Sequence, residues 1–145
     1  MYQRILLAYD GSVSGQQALL QCRDLAQWSQ GAVHLIAVTP LFINMVGVEA
    51  GVYDSELVAE EKARFTEILD EGLQTLRTAG FVVTGEVLVG ETIDEIVRAA
   101  TRMNADLIVV GHRHLDGWAA RWWRGSVSKS LIENAPCSVL VAITA

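Results

Sequence analysis

Cysteine is scarce in this chain, at two residues in 145, and that excludes the disulfide framework of a small secreted protein. Cys22 falls on the apolar face of a helical pattern and Cys137 opens a strand, so both read as small core residues rather than a pair. Positive charge is short as well. Eleven Lys and Arg against 17 Asp and Glu leave a net charge of −6 and a pI of about 4.9. A surface of that sign repels nucleic acid and anionic membranes, so neither is expected as a partner. No apolar run approaches the ~18 residues of a membrane span, and the N-terminus enters a strand directly. The expectation is a mature, soluble, cytoplasmic protein. There is also no GxxxxGK[ST] and no GxGxxG after the first strand, which argues against a P-loop or a dinucleotide fold. What remains is a chain that is 51% hydrophobic, read as one domain over residues 1–145 and able to bury a core without disulfides or metals.

The apolar pattern alternates between two periods. Arg4 to Tyr9 is a short continuous apolar run, the signature of a strand buried on both faces, and it ends at Asp10-Gly11-Ser12. Ser12 and Ser14 are candidate helix caps. Ala18, Leu19, Cys22, Leu25 and Ala26 then recur at helical spacing until Gly31. A second strand covers 32–38 and stops at Thr39-Pro40. Residues 41–54 are apolar but aperiodic and read as a long loop. From Ser55 a helix carries Phe65, Ile68, Leu69, Leu73 and Leu76 on one face and Glu60, Glu61, Glu67, Asp70 and Glu71 on the other, the acidic side reading as solvated. Gly80 ends it. A third strand spans 81–89, and Ile93, Ile96, Val97 and Ala100 form a short helix with Glu91 or Thr92 near its start. The fourth strand is 106–110, a helix follows from about Ser126 to Asn134, and residues 138–143 form the last strand. This β-α-β-α-β-α-β-α-β order predicts an α/β fold with a parallel sheet covered by helices on both faces. Ligands of such sheets bind outside the carboxyl ends of the strands, where Asp10, Val38, Gly90 and Gly111 fall.

The stretch from Asp106 to Ser128 carries the chemistry. A buried strand stops at Gly111, a loop rich in His, Arg and Trp follows, and Gly125-Ser126 restarts a helix. Backbone N–H groups in that first turn lack intrahelical partners and sit at the positive end of the helix dipole, a setting for an anion. Other chemistries are weaker. His112 and His114 beside Asp116 suggest a metal, but alternate residues on a loop without a third ligand bind poorly. Asp10, Ser12, Ser126 and a histidine do not make a triad, because the serines serve as caps and no nucleophile elbow is present. Trp118, Trp122 and Trp123 with Arg121 and Arg124 fit amphipathic packing or a partner surface better than ligand stacking.

These residues resemble the universal stress protein family along nearly the whole chain. The resemblance rests on the strand entering Asp10-Gly11-Ser12, the long second helix, and Asp106-Leu107-Ile108-Val109-Val110-Gly111. It is completed by Gly125-Ser126-Val127-Ser128 and by Asn134-Ala135-Pro136-Cys137-Ser138-Val139-Leu140-Val141. It implies a single-domain, doubly wound, five-stranded parallel sheet in the order 3-2-1-4-5, adenine nucleotide alpha hydrolase-like. It also implies homodimers pairing through the last strand, residues 138–143. Family members that bind ATP carry a glycine, two residues, a second glycine, nine residues, then Gly-Ser or Gly-Thr. Gly111 and Gly125-Ser126 match. His114 replaces the second glycine, and ten residues separate it from Gly125. A glycine there permits positive φ and close backbone approach, which histidine allows only at a cost. The GHRHLDGW segment also resembles the loop of members that lack nucleotide.

For a binder, the resemblance implies that Asp10, Ala8 and the backbone at Val38 hold the adenosine end and that Gly111 passes the ribose. Gly125, Ser126, Val127 and Ser128 would donate to the phosphates, Arg113 and Arg124 would add charge, and His114 would stand in the wrapping loop. The expected cofactor is ATP with Mg. The resulting expectation is a cytoplasmic homodimer that binds ATP as a stress sensor or regulator and is not an enzyme. The alternative is a nucleotide-free member whose His/Trp-rich loop meets a regulatory protein partner. A slow nucleotide hydrolase is the weaker third reading.

Overall fold

The computed structural model describes residues 2–40, 55–113 and 127–144. Along them strands and helices alternate as β1 (Arg4–Ala8), α1 (Val13–Ser29), β2 (Ala32–Pro40), α2 (Ser55–Thr78), β3 (Val83–Gly90), α3 (Thr92–Arg102), β4 (Leu107–Arg113), α4 (Val127–Asn134) and β5 (Ser138–Thr144). All neighbouring strands are parallel, in the order β3-β2-β1-β4-β5. This is the α/β topology expected from the resemblance.

β1 is the centre of the sheet because both of its faces must be dry. Ile5, Leu6 and Leu7 are fully buried, which an unbroken apolar run demands. Successive side chains go to opposite faces, so two cores form. Ile5, Leu7 and Tyr9 join Leu35, Ala37 and Val109 beneath the stripe of α1 (Ala18, Cys22, Ala26) and that of α2 (Phe65, Leu69, Leu73, Leu76). On the other face, Leu6, Ile36, Ile108 and Val110 pack under Ile93, Ile96 and Ala100 of α3 and Leu131 of α4. α2 comes close to the sheet at Gly72, where a Cβ would stand 2.7 Å from Leu35 Cδ2 and 2.9 Å from Tyr9 Cδ1.

Several boundaries differ from the sequence reading, each for a local reason. α1 ends with Gln30, not Gly31, in the left-handed conformation (φ 56°). Its cap is Ser12 rather than Ser14: the Ser12 hydroxyl accepts the Gly15 N–H at 3.0 Å. β3 starts at Val83 rather than Phe81, because the Phe81 N–H turns back to the Leu76 carbonyl of α2. Glu91 is the cap of α3, its carboxylate accepting the Asp94 N–H at 2.9 Å. Gly111 does not stop β4. The strand continues through Arg113, because β5 runs alongside and supplies partners as far as Thr144. Asp106 lies before the strand and accepts the N–H groups of Gln3 and Arg4 at 2.8 and 3.0 Å, tying the starts of β1 and β4 together. The loop expected over 41–54 lies outside the described residues.

Candidate functional site

The carboxyl ends of β1 and β4 part company. Ala8 is flanked by Ile36 on one side and Val110 on the other. The Tyr9 N–H still bonds to the Ile36 carbonyl at 2.9 Å, after which the chain turns toward α1. β4 keeps running along β5 for three more residues, with Gly111, His112 and Arg113 opposite Ala142, Ile143 and Thr144. Asp10 and Gly111 therefore lie on either side of the point where the strand order reverses, the position at which parallel sheets hold ligands. Ala8 and Val38 face the same side of the sheet and are only partly buried.

Asp10 is exposed but held. Its Oδ1 accepts the Ser12 N–H at 2.9 Å and also the Ser12 hydroxyl, while that hydroxyl accepts the Gly15 N–H. This is an Asx-type turn running straight into a helix cap, so one network starts α1 and orients the carboxylate. Gly11 takes φ +76°, and a Cβ at Gly15 would lie 2.6 Å from Asp10 Oδ1. The two glycines leave room for the carboxylate to fold over the helix start. Sequence reading named Asp10 and the cap but not Gly15, whose role comes from proximity alone.

Thr39 was also missed. It is 3% exposed, and its hydroxyl has no hydrogen-bond partner among the described residues. It follows Val38 at the same end of the sheet. A threonine closing an apolar strand gives no sign in sequence that it will be buried.

Of the other residues singled out, Gly111 and Arg113 lie on the extended β4, and Val127 and Ser128 are the first residues of α4. His114, Gly125 and Ser126 lie outside the described residues, as do Asp116, Trp118, Arg121, Trp122, Trp123 and Arg124. The structure thus brings Ala8, Asp10, Val38 and Gly111 to one end of the sheet, with the start of α4 following β4 in the chain. Among the described residues no three of His, Cys, Asp and Glu converge as a metal site would require.

The model of the universal stress protein family matches residues 1–142. The chain belongs to the universal stress protein family. A universal stress protein of Methanocaldococcus jannaschii is 31% identical over 144 residues, covering 97% of this chain and 82% of its own. Among solved structures, a universal stress protein in complex with cAMP superposes with a TM-score of 0.75 at 22% identity, covering 99% of both chains. A family member from Archaeoglobus fulgidus in complex with dAMP gives 0.67 at 23% identity, covering 97% of both. At these identities the solved structures establish the shared fold. No helix among the described residues is long and apolar enough to cross a membrane.

Proposed function

We propose that this universal stress protein is a cytoplasmic homodimer that binds an adenine nucleotide, ATP in the first instance, in the crevice between β1 and β4. It then acts through its nucleotide state as a regulator rather than as a catalyst. The observation that carries the reading is the divergence of the two strands after the Ala8–Val110 pairing, with the ordered Asp10 carboxylate on one lip and Gly111 on the other. A carboxylate fixed at the end of a strand suits the hydroxyl donors of a ribose. A helix beginning at Val127 directs unpaired N–H groups toward phosphate. The complexes of family members with cAMP and dAMP support adenine nucleotides as the ligand class.

The second reading, a nucleotide-free member with a protein-binding loop, is favoured by His114 and by the ten residues between it and Gly125. Calorimetric titration with ATP and magnesium, after acid extraction to release carried-over nucleotide, separates the two. We expect saturable heat that is lost in Asp10→Ala. No carried-over nucleotide and no heat at about 1 mM ATP, where even a 1 mM dissociation constant represents about 4 kcal/mol of binding, would leave the second reading standing.

A further inference from the structure

Toward the amino ends of β2 and β3, away from Asp10 and Gly111, a polar row crosses the face of the sheet that α3 covers. His34 on β2 pairs in register with Thr84 on β3, and Ile36 pairs with Glu86. Ile36 packs beneath α3, and alternate side chains of a strand share a face, so His34, Thr84 and Glu86 lie on that side together. His34 Nδ1 is 2.7 Å from Thr84 Oγ1, and its Nε2 is 3.1 Å from Glu86 Oε1. Arg102, at the end of α3, pairs with the same carboxylate oxygen. A cavity of about 490 Å³ opens at this row and is lined also by Arg4, Val33 and Met103.

Hydrogen-bonding capacity assigns a role to each group. Glu86, held as a carboxylate by Arg102, can only accept. The proton of the neutral imidazole therefore sits on Nε2, and Nδ1 is left to accept from the Thr84 hydroxyl. A hydroxyl bonded to an imidazole, which a carboxylate orients from behind, is the arrangement of an activated nucleophile. Exposure runs in the same sense. Thr84 is exposed, while the side chains of His34 and Glu86 are 20% and 31% exposed. A cross-strand hydrogen bond that only stabilises the sheet needs Thr84 and His34 alone; it accounts for neither the carboxylate on the far nitrogen nor the cavity. Two arginines set the charge of what can enter. Arg4 gives its Nε to the Asn104 carbonyl and takes part in no ion pair among the described residues. Guanidinium groups with unspent N–H donors favour a phosphate.

We propose that Thr84 is an acyl-accepting nucleophile with His34 as its base, and that its donors are small acyl phosphates. The Thr84 oxygen bonds to the carbonyl carbon while its proton passes to His34 Nδ1. The bond from that carbon to the phosphate oxygen then breaks. Phosphate leaves with the electron pair and takes the proton from His34, so the product is a threonine ester and inorganic phosphate. Glu86 positions the imidazole. The site lies toward the other end of the sheet from the nucleotide site and does not depend on it.

The test is incubation of the full chain with acetyl phosphate near neutral pH, followed by mass spectrometry. We expect one acetyl group, on Thr84, removable by neutral hydroxylamine, which cleaves an ester but leaves an amide on Lys62 or Lys129. Thr84→Ser should keep the reaction and Thr84→Val should abolish it. His34→Ala should slow it at least about ten-fold, as loss of a general base does, and added imidazole should restore it. Glu86→Gln still accepts the His34 N–H and should slow it less than Glu86→Ala. Excess inorganic phosphate should compete. Unchanged circular dichroism melts establish that the variants fold. Acetyl groups on lysine alone, or none, overturn the proposal and leave the row as a cross-strand contact. So does an acetylated Thr84 whose rate is the same in His34→Ala. Labelling indifferent to inorganic phosphate overturns the assignment of the donor.

Discussion

Cys22 illustrates what burial does to a single residue. It is fully buried in the core beneath α1, and desolvation pushes its thiol up from 9.0 to about 12. The folded chain therefore holds this proton after the unfolded chain has released it. The resulting stability is complete below pH 9 and is lost as pH rises toward 12. Three pKa units correspond to roughly 4 kcal/mol in all. Denaturant unfolding across that window should show a falling stability that is clearly shallower in Cys22→Ala. Equal slopes in the two proteins would refute the assignment. Cys137, half-buried ahead of β5, is raised by desolvation and by Asp106 and adds in the same direction. The helical spacing already placed Cys22 on an apolar face. That its thiol would be wholly excluded from water depended on Leu19, Ala26 and the sheet closing over it.

At the scale of elements, the turn from β1 into α1 is where fold and function meet. The cap that starts the helix also orients Asp10, and Gly15 makes room for both. Replacing Gly15 by alanine favours the helix intrinsically by about 0.8–1 kcal/mol but puts a methyl group against Asp10 Oδ1. The carboxylate, being exposed, can swing away. Gly15→Ala should therefore leave the melting temperature within a few degrees of the parent while weakening nucleotide binding several-fold, as read by calorimetry. A variant that binds as the parent does would show that the orientation of Asp10 is immaterial. The sequence marked this turn through Asp10-Gly11-Ser12. It did not mark Gly15, because a glycine inside a helical pattern looks like a weak helix position until its neighbour in space is known.

At the scale of the whole molecule, β3 and β5 are the two sheet edges, and an uncovered edge invites pairing. β5 carries Ile143 at 61% exposed, and α4 beside it carries Ile132 at 62%. Both lie on the side of the sheet where the proposed homodimer would pair through the last strand. The parent should scatter light as a dimer and Ile143→Lys as a monomer, with the nucleotide titration retained. A monomeric parent would refute the proposed dimer, and an unchanged dimer mass in the variant would move the interface elsewhere.

The sequence alone determined the alternation of strands and helices, the burial of β1 on both faces and the placement of Asp10 and Gly111 at the carboxyl ends of strands. These depend on periodicity and on chain order, which are local and cumulative, whereas the strand order that puts the switch point between β1 and β4 was implied by the family resemblance. Only the tertiary structure decided that β4 runs on past Gly111, because that extension rests on hydrogen bonds from β5, about thirty residues later. It also decided that Thr39 lies buried without a hydrogen-bond partner among the described residues and that Gly72 lets α2 approach the Tyr9 ring. Such relations join residues with no regular spacing along the chain, and packing alone brings them together.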